Sequence, residues 1–192
     1  MAGTETTSGA LQWVIAEIIN HPNVFKKLRE EINSVVGPTR LVEESDVPNL
    51  PYLQAVVKEG MRLHPPSPLI LRQCKEDCKI NGYDVLADTR MMINLYAIMR
   101  DPDTWEDPNE FVPERFMVGS AQDQNRCQVN LDYMPFGGGR RACPGTALAL
   151  TVMHMMIGPL VQCFDLEVKG GGNVDMKEGS GVSASMANPL VC

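Results

Sequence analysis

The stretch Phe136-Gly137-Gly138-Gly139-Arg140-Arg141-Ala142-Cys143-Pro144-Gly145 joins a glycine-rich loop to a single cysteine at the start of a predicted helix. Pro144 suits a first helical position, and the apolar run 147–150 follows it. The positive end of that helix and the adjacent Arg140 and Arg141 favour a thiolate over a thiol at Cys143. Such a sulfur is suited to be a nucleophile or a metal ligand. A buried structural cysteine beside a flexible turn is the alternative.

The order and spacing of five residues in this stretch resemble the haem-ligand signature of the cytochrome P-450 family, namely Phe136, Gly139, Arg141, Cys143 and Gly145. The resemblance implies heme b (iron protoporphyrin IX) with Cys143 as the axial thiolate of its iron. It further implies that Gly137 and Gly145 let backbone amides approach the sulfur, that Phe136 packs beside it, and that Arg141 pairs with a haem propionate.

Composition limits the class of protein. The 192 residues are 44% hydrophobic and 21% charged, which is typical of a globular chain. The formal net charge of -7 gives no indication of a nucleic-acid partner.

Six irregularly spaced cysteines favour a reducing compartment. Cys74 and Cys78 have the spacing of half a metal site, but no second pair of Cys or His complements them. We find no continuous apolar run of the roughly 18 to 20 residues that a membrane span needs, so the chain itself is expected to be soluble.

Hydrophobic periodicity predicts a mainly α protein with a small antiparallel β-sheet, an α+β class that corresponds by resemblance to the C-terminal part of the cytochrome P-450 fold. A first helix is predicted to end at residue 20, and a second to follow His21-Pro22 and end at residue 36. Further helices are predicted over 51–63, over 95–99 and from 144 to about 163. Strands are predicted near 69–72, 78–80 and 90–94. Two interpretations apply to Thr4 to Ser8: an N-cap region with a capping box, or the interior of a helix cut from a longer one.

A buried charge network is implied by two further motifs of the family. Glu59 and Arg62 lie at i,i+3 in the predicted third helix, within reach of an ion pair. The stretch Pro113-Glu114-Arg115-Phe116 resembles a family element whose arginine joins that pair. By this resemblance Glu59, Arg62 and Arg115 are structural and hold the loop that carries Cys143.

The resemblance also assigns residues to the opposite side of the haem. Ala2-Gly3-Thr4-Glu5-Thr6-Thr7 is similar to the acid-alcohol motif of the family's distal helix, in which Gly3 and Thr6 open a local distortion and Glu5 and Thr6 relay protons. Residues 66–71 are expected to line the substrate cavity, and Arg72 to be a second propionate partner. The tail 181–190 resembles a hairpin whose tip projects into the active site.

The resemblance implies a haem-thiolate monooxygenase, and the stretches 51–55, 113–116 and 135–141 are similar to those of plant microsomal members. Its expected reaction is the O2- and NADPH-dependent hydroxylation of a small hydrophobic plant secondary metabolite, with NADPH-cytochrome P-450 reductase as partner. Residues 1–192 are expected to be the C-terminal portion of a single domain, from the second half of the distal helix to the hairpin, with the N-terminal half absent. The whole protein is expected at the cytosolic face of the endoplasmic reticulum membrane, attached through the missing N-terminal anchor. The isolated chain is expected to bind haem weakly and to be inactive.

Two other function classes remain compatible with the sequence. A haem-thiolate isomerase or dehydratase, which rearranges a peroxide without O2 or a reductase, is expected to lack an acid-alcohol pair, so Glu5 and Thr6 favour the monooxygenase. A truncated, non-catalytic haem-binding or interaction protein is the other alternative.

Overall fold

Helices dominate the computed structural model, which describes residues 2–117, 131–168, 170–181 and 183–191. Helix α1 spans Ala2–Asn20, α2 spans Pro22–Val35, α3 spans Pro51–Leu63, the short α4 spans Leu95–Ile98, and α5 spans Thr146–Cys163. Short 3₁₀ turns lie at Glu44–Asn49, Pro113–Phe116 and Gly139–Arg141. Helices α1, α2, α3 and α5 pack on one another around one apolar core. The predicted class, mainly α with a small antiparallel component, is confirmed.

Proline sets the start of two of these helices. Pro22 and Pro51 occupy the first turns of α2 and α3, where the missing amide hydrogen costs no hydrogen bond. Helix α2 buries Val24, Leu28 and Ile32, which recur every fourth residue. The same spacing continues to the buried Val36, whereas the adjacent Val35 is 41% exposed.

The first helix settles the two interpretations of the opening segment. Residues 4–8 lie inside α1 and not in an N-cap region, so the capping-box interpretation is wrong. Helix α1 is α-helical from Ala2 to Asn20, without the local distortion expected at Gly3 and Thr6. The Thr7 hydroxyl donates to the Gly3 carbonyl at 2.9 Å, as hydroxyl side chains do within helices.

Two separate antiparallel strand pairs replace the single predicted sheet. Strand β1 (Leu69–Gln73) pairs with β4 (Arg90–Asn94), and β2 (Cys78–Ile80) pairs with β3 (Tyr83–Val85). Asn81 and Gly82, with φ of 48° and 84°, form the tight turn of the second pair. The Asn-Gly pair indicates this turn locally, but the division into two strand pairs depends on long-range contacts.

Helix α5 differs from its prediction in two respects. It begins at Thr146 with Gly145 as N-cap, so Pro144 lies before the helix and not at its first position. By length and composition it could also span a membrane, with a mean hydropathy of 1.4 over Thr146–Cys163, so the expectation that no segment approaches this limit is wrong. Met153 and Ile157 belong to the core. One face of α5 therefore packs in the core.

The tail folds back on the opening helix. Residues Glu178 and Met186 form an antiparallel bridge, as expected for a hairpin. The Ala184 amide donates to the Pro66 carbonyl at 3.2 Å. Its own carbonyl accepts from the Trp13 indole nitrogen at 2.9 Å. This part of the tail therefore contacts the segment that leads into β1.

Candidate active site

The loop before α5 is shaped by glycine. Gly137 and Gly139 have φ of 69° and 68°, a region that favours glycine over residues with a Cβ. A Cβ at Gly137 would lie 3.2 Å from the Ile70 side chain. The Cys143 amide donates to the Phe136 carbonyl at 2.9 Å, which closes the loop and brings the cysteine beside the phenylalanine. The loop of the sequence motif is therefore a defined turn that presents Cys143.

A cavity of about 760 Å³ lies between this loop and the first turns of α1. Cys143 is exposed and lines it, together with Phe136, Gly137 and Gly145 from the same loop. Carbon atoms form most of the remaining wall, from residues such as Leu11, Met61, Leu95, Leu148 and Val152. A cavity of this size with few polar groups is suited to a largely apolar ligand.

The opposite wall separates the two members of the predicted acid-alcohol pair. Thr6 lines the cavity, with Gly3 and Thr7 of the same helix. Glu5 is exposed and does not line it. Glu5 points to the outer side of the helix, since its neighbours Thr4 and Thr6 both line the cavity and it does not. The structure thus puts the alcohol, but not the acid, on the wall.

Strand β1 forms a third wall through alternate residues. Ile70 and Arg72 line the cavity, while Leu69 and Leu71 point away and Leu71 is 71% exposed. Pro66 and Ser67 also line it. The expectation that the whole of 66–71 lines the cavity is therefore wrong for the outward members, because side chains alternate along a strand.

Two arginines lie on the cavity wall. Arg72 comes from β1 and Arg141 from the loop before Cys143, whereas Arg140 does not line the cavity. Guanidinium groups bind carboxylates well. A thiol, two guanidinium groups and apolar walls around one cavity fit heme b, a flat apolar group that carries an iron and two carboxylates.

Glu59, Arg62 and Arg115 meet in the interior, as expected from their motifs. Glu59 and Arg62 are fully buried and Arg115 is nearly so. The Arg62 Nε and Nη2 atoms each donate to a Glu59 oxygen at 2.8 Å, and the Arg115 Nε donates to Glu59 Oε1 at 3.0 Å. The carboxylate also accepts from the Val112 amide at 2.9 Å. One carboxylate therefore compensates two buried guanidinium groups.

The network organises the long loop between α4 and residue 115. Arg62 donates to the carbonyls of Met99, Pro108 and Glu110 at 2.8, 2.8 and 3.1 Å, and Arg115 donates to that of Glu106 at 2.9 Å. These contacts satisfy buried carbonyl groups in a segment without regular structure. The sequence motif gave the three side chains, but not the loop carbonyls that they bind.

A row of aromatic rings leads from the network toward the cysteine loop. Trp105 lies under Arg62, with the guanidinium 5.1 Å from its ring centroid, and packs on Phe116 at 5.8 Å. Phe116 packs on Tyr133 at 4.9 Å, and the Tyr133 hydroxyl donates to the Lys58 carbonyl at 3.2 Å. Trp105 is thus a packing anchor. Tyr133 was not predicted from the sequence, although an aromatic residue just before the motif was a usable signal.

In the sequence, His154, Met153, Met155 and Met156 suggest either metal ligands or core residues, and we predict core residues because methionine fills irregular gaps and a single histidine has no partner. Met153 and His154 are buried, in agreement with that prediction. Met156 is 58% exposed and lines the cavity, so the prediction is wrong for this residue. A helix between a core and a cavity presents its apolar residues to both, and periodicity alone does not distinguish the two.

Comparison with known sequences gives a family. A sequence profile described as Cytochrome P-450 matches residues 1–191. The Arabidopsis thaliana protein Cytochrome P-450 705A5 is 54% identical over 193 residues, which cover 100% of this chain and 37% of that protein. The Glycine max protein Beta-amyrin 24-hydroxylase is 48% identical over 197 residues, covering 100% of this chain and 38% of that protein. The chain thus spans little more than a third of the length of these relatives.

The backbone resembles a solved member of the same family. A zebra fish cytochrome P-450, in a structure with abiraterone, superimposes with a TM-score of 0.85 and 33% sequence identity. The superposition covers 96% of this chain and 42% of that one. Since a family profile matches almost every residue and the backbone follows a segment of a known member, this chain belongs to the cytochrome P-450 family.

Proposed function

We propose that the protein is a haem-thiolate monooxygenase that uses O2 and NADPH to hydroxylate a small hydrophobic plant secondary metabolite. The observation that carries the proposal is the cavity of about 760 Å³ with Cys143 on one wall and Thr6 on another. Its apolar lining suits a hydrophobic substrate. Relatives in Arabidopsis thaliana and Glycine max, one named a hydroxylase, support both the reaction class and the plant origin of the substrate.

Cys143 is the axial ligand in this proposal. When bound there, heme b supplies the redox chemistry of O2 activation, and a thiolate ligand favours O–O cleavage. Phe136, whose half-buried ring packs against the core, would lie beside the sulfur and shield it from water once the haem is bound. Gly137 keeps the loop turned through its positive φ, and Gly145 leaves space beside the sulfur, where even an added Cβ would be 3.8 Å away.

Arg72 and Arg141 fix the orientation of the cofactor. Each presents a guanidinium group to the cavity, from β1 and from the cysteine loop. In the proposal each binds one propionate by charge-assisted hydrogen bonds. The Glu59, Arg62 and Arg115 network stabilises the scaffold on which this cysteine loop rests, through the aromatic row that ends at Tyr133.

Thr6 and Glu5 have different roles in proton transfer in this proposal. The Thr6 hydroxyl lies on the cavity wall, where it can hold and pass on a proton. Glu5 is exposed one residue earlier, so its carboxylate exchanges protons with solvent and can resupply Thr6. Thr7 also lines the cavity, and its hydroxyl donates to the Gly3 carbonyl at 2.9 Å.

The partner in this proposal is NADPH-cytochrome P-450 reductase, which delivers electrons at the face that carries Cys143. Arg140 is exposed on this face beside the loop and is a candidate contact for an acidic partner. The corresponding location is the cytosolic face of the endoplasmic reticulum membrane. Both assignments follow by analogy with the family.

The test uses the protein expressed from its own transcript, in microsomes with the reductase. We expect the ferrous-CO complex to give the red-shifted Soret band of thiolate-ligated haem, and Cys143→Ser to lose it. Cys163→Ser, an exposed cysteine at the end of α5, is the matched control and keeps the band. Product formation that requires both O2 and NADPH supports the monooxygenase. Turnover of a peroxide substrate without either would instead indicate an isomerase or dehydratase.

A further inference from the structure

The Cys74 sulfur lies beside two other sulfur atoms at one end of the β1–β4 pair, and none of the three residues lines the cavity. Cys74 follows β1, Cys78 begins β2, and Met91 lies on β4. The Cys74 Sγ is 3.9 Å from the Cys78 Sγ and 3.9 Å from the Met91 Sδ. From the sequence, Cys74 and Cys78 had no further Cys or His to complete a metal site. The fold supplies a third sulfur from a distant strand.

The backbone around these sulfurs is fixed before any ligand binds. The Cys74 amide donates to the Thr89 carbonyl at 3.0 Å, and its carbonyl accepts from the Asp88 amide at 2.9 Å. The Asp77 carboxylate accepts from the Ala87 amide at 2.7 Å, which holds the turn between the two cysteines. A preorganised set of donors avoids much of the ordering cost of binding.

The spacing of the sulfurs suits a shared ion. Bonds of about 2.3 Å to one metal, spread at trigonal or tetrahedral angles, separate their sulfur atoms by roughly 3.8 to 4.0 Å. The two distances from Cys74 Sγ, 3.9 Å to Cys78 Sγ and 3.9 Å to Met91 Sδ, fall in this interval. Cys74 is buried and Cys78 is exposed, so one side of the group is shielded and the other is open for entry of an ion.

The chemistry of the donors selects the metal. Zinc sites in proteins use cysteine, histidine and carboxylate ligands, mostly four of them. Two thiolates and a thioether form a soft donor set, which prefers Cu(I). We propose that Cys74, Cys78 and Met91 form a binding site for one cuprous ion. The site is independent of the haem proposal, because none of its three ligands lines the cavity.

The experiment is an anaerobic titration of the reduced full chain with Cu(I) in competition with bathocuproine disulfonate. In this competition we expect the wild-type chain to retain one Cu(I) ion that neither Cys74→Ser nor Cys78→Ser retains. Met91→Leu keeps the side-chain volume but removes the thioether. We expect its Cu(I) affinity to be at least about tenfold weaker, because losing a direct ligand should cost no less than losing an outer-shell partner. Cys163→Ser, the matched control, binds as the wild type does.

Two further measurements keep the result interpretable. Circular dichroism and the urea midpoint show whether each variant folds, and Cys78→Ser carries the test if the buried Cys74→Ser does not. X-ray absorption of the copper-loaded chain should give a shell of three sulfurs at about 2.3 Å. Equal copper binding by the wild type and both serine variants overturns the proposal, as does unchanged affinity in Met91→Leu. A Cys74–Cys78 disulfide that persists under reductant and excludes copper also overturns it.

Discussion

The indole of Trp13 stacks on the imidazole of His64, with 4.3 Å between ring centroids and 4° between ring planes. The His64 Nε2 atom lies 2.7 Å from the Glu17 carboxylate, so α1 holds the histidine on two sides. The Trp13 nitrogen donates to the Ala184 carbonyl, and the Ala184 amide donates to the carbonyl of Pro66 on the cavity wall. This stacked pair therefore joins α1, the end of α3 and the tail.

Replacing Trp13 by phenylalanine tests the connection to the tail. Trp13→Phe keeps an aromatic ring on His64 but removes the N–H that binds Ala184. We expect a loss of about 0.5 to 1.5 kcal/mol in the free energy of unfolding, the usual net worth of one hydrogen bond. Hydrogen exchange at residues 183–187 should become faster. Tyr83→Phe, at an exposed ring, serves as control. Unchanged exchange in this segment would disprove the connection.

Neutralising Glu59 should be the most damaging polar change. Glu59→Gln leaves the buried Arg62 and Arg115 without their counter-charge. Breaking a buried ion pair in this way costs about 3 to 5 kcal/mol. We expect a large fall in the urea midpoint or loss of folded protein. Asp84→Asn breaks the exposed pair with Lys79 and should leave the midpoint almost unchanged. Equal midpoints for the two variants would contradict a structural role of the network.

Gly60 of α3 packs closely against Val14 of α1. A Cβ there would lie 2.4 Å from the Val14 Cγ2 atom, too close without movement. We expect Gly60→Ala to cost about 1 to 3 kcal/mol, as overpacking does. Adding Val14→Ala should recover part of that loss, which a double-mutant cycle of unfolding measures.

Gly9 provides the matched control for this change. A Cβ at Gly9 meets nothing within 4 Å, although the residue also lies inside a helix. Gly9→Ala should therefore stabilise by about 0.5 to 1 kcal/mol through the backbone preference of alanine. If both alanine variants had the same effect, contact between the two helices would not explain the first one.

His154 should make stability fall in mild acid. Burial, and then the nearby Lys58 charge, lower the pKa of His154 from 6.5 to about 4. Because the folded-state pKa is depressed, the unfolded chain takes up the proton first as the pH falls. The stabilisation is complete above pH 6.5 and is lost toward pH 4.

The magnitude can be checked with a variant that does not titrate. Linkage gives a loss of about 2 kcal/mol between about pH 7.5 and about pH 5 from this group alone. His154→Leu should lack that part of the pH dependence in urea unfolding measured at the two pH values. The same pH dependence in the variant and the wild type would rule out His154 as the source.

The two cavity arginines give a prediction for cofactor binding that rests on the proposed function. Arg72→Leu and Arg141→Leu each remove a guanidinium group from the cavity wall. A hydrogen bond to a charged group contributes about 1.5 to 3 kcal/mol, so each variant should bind haem at least about tenfold more weakly. Arg140→Leu changes the adjacent residue outside the wall and should bind as the wild type does. Equal affinities for all three variants would contradict the proposed propionate partners.

Helix positions could be predicted from the sequence because the residues that indicate them are close together in the chain. Pro22 and Pro51 set the starts of α2 and α3, and the predicted end of α3 at Leu63 is confirmed. The haem-ligand motif identified the family, which the family profile confirms. These features depend on residues within a few positions of one another. Pro144 shows the limit of such signals, since Gly145 is the N-cap and the helix begins after it.

By itself, the sequence determined the helices, the family and the side chains of the buried network. Tertiary structure decided which of those side chains share a surface. It put Thr6 on the cavity wall and Glu5 outside it, paired β1 with β4, and brought Met91 to the two cysteines. These outcomes depend on contacts between segments far apart in the chain. Backbone preferences within one turn or strand do not encode such contacts, which packing of the whole core fixes.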